Sequence, residues 1–304
     1  MAHILERLPE GSRIAVIRLR SLGDCVLTTP ALALLKAHRP DVRIGVVVED
    51  RFHGIFEGNR DVDEILAAEA GAIRGWGPDL TLNLHGGTRS MWMTAASGAR
   101  FRAGFRHHAY SFLYNVKIPR AQEILGVERR VHTAEHLASA MFFLGVPRVE
   151  IPRAKLDAPR TGELLPEHYA VLHPFASAPE KTWPMDRFLT VARHLRDRAG
   201  LEPLVLGGPA DDVSEVKEFR VFRNAPLAEV KHVMAGAQLF VGNDSGPAHV
   251  AAAFGVPVVV LFGPSNPVTW APWHTEAQVL TAGRMDEIGV PAVIAAAEGL
   301  RVRA

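Results

Sequence analysis

Three groups of residues in this chain have the types and spacing needed to handle a phosphorylated substrate. The densest is Asn243-Asp244-Ser245-Gly246-Pro247-Ala248-His249. Asp244 or Ser245 can cap a helix there, and Pro247 is tolerated in a first helical turn because its missing N–H has no partner to lose. The N–H groups of that turn offer partial positive charge, and Gly246 lets an anion come close. The second group is the loop 174–184, where the Lys181 ammonium can meet a phosphate oxygen. The third is Arg18-Leu19-Arg20-Ser21-Leu22-Gly23-Asp24, with a carboxylate at its end. On spacing alone each also has an ordinary reading: a capped turn for Asp244–Gly246, a surface lysine for Lys181, and for Asp24 a helix cap worth about 1 kcal/mol.

All three groups stand where an apolar run gives way to a helical pattern. Ile14-Ala15-Val16-Ile17 precedes Arg18, and apolar positions at Leu27, Ala31, Leu34 and Leu35 predict a helix after Asp24. Strands are predicted at 43–48, 63–66, 80–84 and 101–104. After 80–84, His85-Gly86-Gly87-Thr88-Arg89-Ser90 reads as another strand-end loop. The basic, aromatic-interleaved stretch Arg100 to His108, with Arg106 in it, is a candidate contact for an acidic acceptor or an edge with snorkelling arginines. In the second half, strands are predicted at 169–173, 204–206, 239–241 and 258–262. Helices are predicted at 185–198, 227–236, after a cap at Asp244 or Ser245 and closing at Gly255, and at 286–299. Gly207-Gly208-Pro209-Ala210-Asp211 turns after 204–206 with a carboxylate able to reach a ribose hydroxyl. The β-branched run Val258-Val259-Val260-Leu261-Phe262 suits a strand covered on both faces. The layout is a repeating β/α succession, and in open parallel sheets ligands sit beyond the carboxyl ends of the strands.

The chain has 304 residues, 48% of them hydrophobic, enough for two domains with full cores. The proline-rich stretch 148–166 reads as the linker and the place for a hinge. The formal charge of +1 argues against a nucleic-acid binder, although residues 1–158 carry 21 Lys and Arg against 17 Asp and Glu, and residues 159–304 carry 13 against 16. The single cysteine, Cys25, rules out an internal disulfide framework and a thiolate zinc cluster. A reducing, cytoplasmic setting is expected, since the N-terminal segment shows no signal-peptide core and no apolar run is long enough to span a bilayer. His132-Thr133-Ala134-Glu135-His136 matches H-x-x-E-H, but no third ligand is evident and the segment reads as the start of an amphipathic helix. Asp61-Val62-Asp63 likewise reads as turn chemistry, and no metal site is assigned.

Ser21-Leu22-Gly23-Asp24 with Thr28-Thr29-Pro30-Ala31-Leu32, then Lys181-Thr182-Trp183-Pro184, then Asn243 to His249 with Phe262-Gly263-Pro264, stand in an order and spacing that resembles glycosyltransferase family 9, the lipopolysaccharide heptosyltransferases. The resemblance implies an α/β GT-B fold: two Rossmann-like domains with parallel sheets facing across a cleft. It assigns 1–158 to the acceptor, 159–285 to a nucleotide-sugar, and 286–304 to a terminal helix packing back on the first domain. It implies metal-independent, inverting transfer of heptose or a related sugar from an ADP-sugar to a lipopolysaccharide core or similar anionic glycan, with peripheral contact at the inner membrane surface. No cofactor is implied beyond the nucleotide-sugar co-substrate, for which ADP-heptose is expected. Asp24 becomes the general base and Lys181 the cation on the leaving diphosphate, which makes these two the catalytic pair. Donor contacts fall on Ser177, Lys181, Asp211, Asp244, Ser245, Gly246 and His249, and acceptor contacts on Arg18, Ser21, Gly23, His85, Arg89 and Arg106. The alternatives are a UDP-sugar 2-epimerase of the same architecture and a non-catalytic nucleotide-sugar binding protein.

Overall fold

A computed structural model describes residues 3–159 and 161–301, so the extreme ends of the segments assigned as 1–158 and 286–304 lie outside the described residues. The chain divides into two compact units, Met1–Asp157 and Ala158–Ala304, and the division falls inside the proline-rich 148–166 stretch.

The first unit is built on a parallel sheet of β1 (Arg13–Ile17), β2 (Arg43–Val48), β3 (Glu64–Ala67), β4 (Leu80–Asn83), β5 (Phe101–Phe105) and β6 (Val116–Ile118). Its order is β3-β2-β1-β4-β5-β6. Ile14 pairs with Ile44 on one side and Leu80 on the other, so β1 is central, and its last four residues are buried. The Leu22–His38 helix after it starts earlier than the sequence predicts and is buried nearly all round from Cys25 to Leu35, not along one stripe. Its apolar residues go all the way round, and one side packs against the Thr133–Leu144 helix.

The second unit repeats the plan with β7 (Tyr169–His173), β8 (Glu202–Gly207), β9 (Arg220–Arg223), β10 (Leu239–Asn243), β11 (Val258–Phe262) and β12 (Ala277–Thr281), in the order β12-β11-β10-β7-β8-β9. Counted from its own first strand, each sheet has the same order, with the two earliest-departing directions meeting at β1/β4 in one and β7/β10 in the other. The three strands that apolar patterning misses, β6, β9 and β12, are all sheet edges. Val-Lys-Ile and Arg-Val-Phe-Arg are short and half polar because one side of an edge strand needs no apolar neighbour.

The terminal segment differs from expectation. The Val290–Arg301 helix packs on the Met185–Ala199 helix and the β10–β12 side of its own unit's sheet, where the sequence reading sent it to the first domain. The stripe Val293, Ala297 and Leu300 enters the same buried cluster as Trp183, Phe188 and Leu195. Trp183 anchors this join: its indole N–H donates to the Ile288 carbonyl at 2.9 Å and its ring meets Phe188 edge-on at 4.9 Å. Arg187 donates to the carbonyls of Asp286 and Ile288 beside it. Replacing Trp183, which is fully buried, with Ala is expected to cost about 3–5 kcal/mol of stability. Urea unfolding followed by circular dichroism measures this, and a loss below about 1 kcal/mol would contradict the anchoring role.

Candidate functional site

In the second unit, the helices after β7 and β10 depart from adjacent strands, so the loops 174–184 and 244–246 open side by side at the carboxyl ends. Buried Asn243, the last residue of β10, ties them together. Its side-chain carbonyl accepts the Trp183 N–H at 3.1 Å and its amide donates to the Pro174 carbonyl at 2.9 Å. This places the Lys181 Nζ 3.4 Å from an Asp244 carboxylate oxygen, with Asp244 the more buried of the two. Ser245 holds the N-cap position of the Gly246–Phe254 helix with its hydroxyl donating to the Asn243 carbonyl at 3.1 Å rather than to the helix, and in the first turn Pro247 has no N–H while the Ala248 N–H donates to the Ser245 carbonyl at 3.2 Å. A cation, a helix amino end and a carboxylate therefore share one crevice. Gly263, after β11, lies so near that a Cβ there would be 3.0 Å from the Glu180 carbonyl oxygen.

The first unit has the matching arrangement. Arg18 follows β1 and is 6% exposed. Its Nε donates to Thr28 Oγ1 at 3.2 Å, and a terminal nitrogen lies 3.5 Å from Asp24 Oδ1. Burial lowers the Arg18 pKa, and the Asp24 charge opposes that shift. The other Asp24 oxygen accepts the Ser21 N–H at 3.2 Å and the Ser21 hydroxyl at 3.0 Å. The cap of this helix is therefore Ser21 and not Asp24, which is its capping-box partner one turn in and a held carboxylate at once. Next to it, Cys25 is buried and its thiol is pushed up to about 12 by that burial, so it is not a nucleophile.

Asn83 ends β4 as Asn243 ends β10, and it is equally buried. It accepts the N–H groups of His85 and Gly86, both at 3.0 Å, and donates to Ser90 Oγ and the Tyr114 hydroxyl. The loop it shapes lies close to a histidine: at Gly86, with φ of +80°, His108 Nε2 leaves no room for a Cβ. His107 and His108 have ring centroids 5.0 Å apart, and His136 stacks on Phe105 at 4.1 Å. The H-x-x-E-H residues are occupied structurally. His132 Nδ1 accepts the Ala134 N–H, and Glu135 takes the His132 N–H and the Arg129 guanidinium. Asp63 likewise pairs with Lys36 and accepts the Ile44 N–H. Among the described residues no cluster of three or more His, Cys, Asp or Glu is spaced to hold a metal ion, and no helix is long and apolar enough to cross a membrane.

The family model for glycosyltransferase family 9 (heptosyltransferase) matches residues 70–288, more than half of the chain. The chain belongs to that family. It is 28% identical to lipopolysaccharide heptosyltransferase 3 of Escherichia coli K12 over an alignment covering 89% of this chain and 88% of that protein. Solved structures share its fold. A family 9 glycosyl transferase from Veillonella parvula superimposes with a TM-score of 0.85 at 23% identity, covering 97% and 98% of the two chains. The Escherichia coli ADP-heptose lipopolysaccharide heptosyltransferase II gives 0.82 at 20% identity, covering 96% and 99%. The architecture is GT-B and the chain is a glycosyltransferase of the heptosyltransferase family.

Within this family member the residues singled out by sequence fall into two gathered sets and four residues held apart from them. Arg18, Ser21, Gly23 and Asp24 share one loop and helix start, and the charges of Arg18 and Asp24 both act on His85. Lys181, Asp244, Ser245 and Gly246 gather around the β7/β10 crevice, and His249 is buried one turn into the helix. Arg89 and Arg106 are held by carboxylates of their own, Glu49 and Glu123. Asp211 turns back to accept the Gly208 N–H at 2.7 Å, and Ser177 is exposed in the 174–184 loop. Sequence reading did not single out Asn83 or Tyr114, nor recognise Thr28 as the partner of Arg18 or Asn243 and Trp183 as the residues that hold the loops. An Asn closing an apolar strand run, as in Leu-Thr-Leu-Asn, is the signal that was available.

His108 and His136 are each held down to about 4, first by burial and then by the charge of His107, with Arg18 adding to both. An unfolded histidine titrates near 6.5, so between there and about 4 the unfolded chain binds more protons than the folded one. The stability they contribute is complete above that range and drains away as pH falls through it. Unfolding free energy is therefore expected to drop from about pH 7 to about pH 4.5, and to drop less in His136→Phe. Urea titrations at several pH values report this, and an unchanged slope in the variant would refute the assignment.

Proposed function

We propose that this enzyme transfers heptose, or a closely related sugar, from an ADP-sugar to an anionic glycan of the lipopolysaccharide core, with inversion and without a metal. The observation that carries the reading is the pair of strand-end sites: a fixed carboxylate at Asp24 in one unit, and a cation beside a helix amino end in the other. The similarity to an Escherichia coli enzyme named for ADP-heptose and lipopolysaccharide supports the donor and acceptor classes.

In this reading the donor diphosphate lies in the β7/β10 crevice. Lys181 and the N–H groups opening the Gly246–Phe254 helix take up the negative charge that grows as the sugar–phosphate bond breaks, a task metals perform elsewhere. Asp244, already beside Lys181, serves the sugar hydroxyls, and its carboxylate keeps the ammonium from collapsing onto solvent. Ser245 and Gly246 approach the diphosphate, with His249 behind them, and Asp211 and Ser177 serve the nucleoside side. The acceptor hydroxyl meets Asp24, which takes its proton as the oxygen attacks the anomeric carbon from the side opposite the leaving ADP. The bond to the acceptor forms as the bond to phosphate breaks, and the proton ends on Asp24. Ser21 fixes one carboxylate oxygen and Arg18 orients the other. His85, Arg89 and Arg106 meet the anionic acceptor.

Asp24→Ala is expected to lower kcat by about 10²–10⁴ while leaving ADP binding intact, because the carboxylate acts on the acceptor alone. Lys181→Ala should weaken ADP binding by tenfold or more, roughly the value of a charge-assisted contact, and binding should survive EDTA. Calorimetric titration with ADP, UDP and GDP, paired with a transfer assay, checks both. Undiminished turnover in Asp24→Ala would refute the mechanism, and a preference for UDP would refute the donor.

A further inference from the structure

We propose that the groove along the free edge of β6 is a docking site for an extended acidic peptide of a partner protein, which pairs with the strand while an apolar side chain enters the groove. The groove encloses about 800 Å³, the size of a ligand cleft. Val116, Lys117 and Pro119 line it along the strand. The Ala121–Leu125 and Thr133–Leu144 helices pack on each other beside it, and Ile124, Phe142 and Phe143 form its apolar side. Phe143 is only half-buried, although it belongs to a helix that is otherwise almost wholly covered. None of the residues assigned above to donor or acceptor lies on this lining.

The backbone of β6 supplies the first part of the recognition. The strand pairs with β5 on one side and has no strand on the other. In a parallel pair, alternate residues of a strand bond to the same neighbour and those between them face away. The Ile118 carbonyl accepts the Arg106 N–H at 2.8 Å, so Val116 and Ile118 serve β5, and the N–H and carbonyl of Lys117 face the free edge. Main-chain groups in that position can take a further strand. The groove beside them receives a side chain of the added strand, and the two together are the elements of recognition by strand addition.

The charges select an acidic strand. Arg7, Lys117 and Arg148 border the groove, and none of them makes an ion pair with a described residue. Arg7 lies over the Phe101 ring at 4.8 Å, an arrangement that leaves the edge of its guanidinium open to a carboxylate. Among the described residues of the lining the one acid is Glu123, and both its oxygens are occupied: one accepts the Arg120 N–H at 3.1 Å and the other the Arg106 guanidinium. The rim therefore presents net positive charge to an arriving chain. A second copy of this chain fits less well, because twofold pairing of β6 with itself would set Lys117 against Lys117, and a lysine in mid-edge is a guard against such pairing. A neutral ligand would fill the apolar side and leave three cations unmatched.

The test is fluorescence anisotropy of the full chain with a labelled heptapeptide that alternates aspartate and valine around a central phenylalanine. Binding is expected, and it should weaken as salt rises. Lysine in place of every aspartate should weaken it by tenfold or more. Of two versions methylated at alternate backbone nitrogens, at least one should lose binding, because one set of N–H groups faces the strand. The double variant Lys117→Glu with Arg148→Glu should bind the parent peptide about tenfold more weakly while keeping its circular dichroism spectrum and ADP affinity. Because the readout is peptide binding, failure here is separate from failure of the transfer mechanism, which Asp24→Ala and Lys181→Ala address. No binding at about 1 mM peptide, equal binding of the lysine peptide, full binding of both methylated versions, or an unaffected double variant would each overturn the proposal. So would a dimer of the chain in sedimentation velocity that the double variant dissociates, since the edge would then belong to a second copy.

Discussion

The reversal of strand order at the middle of each sheet is the constraint on which the rest depends. A right-handed crossover from β1 to β2 puts its helix on one face, and the chain must then pass to the other face before β4 can join on β1's free side. The helices that follow β1 and β4 therefore depart to opposite faces, and nothing covers the carboxyl ends between them. The same holds at β7 and β10. Each crevice is a product of topology, present before any side chain is chosen, and the groups that carry chemistry are those that happen to lie in the loops beside it.

Open loops at a crevice would be soft, and buried asparagines stiffen them. Asn83 and Asn243 occupy the corresponding fourth strand of each unit and are both inaccessible to water. Each must satisfy its own amide inside the protein, and does so by binding backbone or side chains of the neighbouring loop. An apolar residue would leave the Trp183 N–H and the Pro174 carbonyl without partners, a cost of about 1–3 kcal/mol per group. The loops are thereby held by buried hydrogen bonds from the rigid sheet, and Lys181 and Asp244 inherit that precision.

The two crevices differ in their electrostatics in a way that matches different tasks. At Asp24 the carboxylate has one oxygen on Ser21 and one facing a nearly dry guanidinium, which suits a group that must stay in place while a proton arrives. Near it stand imidazoles whose pKa values are lowered by burial first, with the Arg18 charge adding to the shift at His85, His108 and His136. At Lys181 the ammonium is a third exposed and rests against one carboxylate at the amino end of a helix, which suits a site that must admit and release a multiply charged ligand.

The sequence by itself determined the α/β layout, most of the central strands, and the loops in which Asp24, Lys181 and Asp244 lie. The reason is that buried parallel strands must be continuous apolar runs, and strand-to-helix junctions must carry capping residues, so both are written locally. It did not disclose β6, β9 and β12, because an edge strand is paired on one side only and its composition is correspondingly mixed. It also misdirected the terminal helix, since the stripe Val293, Ala297 and Leu300 says that a helix is buried but not against what; the Trp183 bond to Ile288 decides that. Only the tertiary structure showed that Asp24 is capping-box partner of Ser21 and ion-pair partner of Arg18 together, that Arg18 is buried, and that two distant asparagines play one role. Those facts depend on residues brought together across the sheet, and no local pattern records such distances.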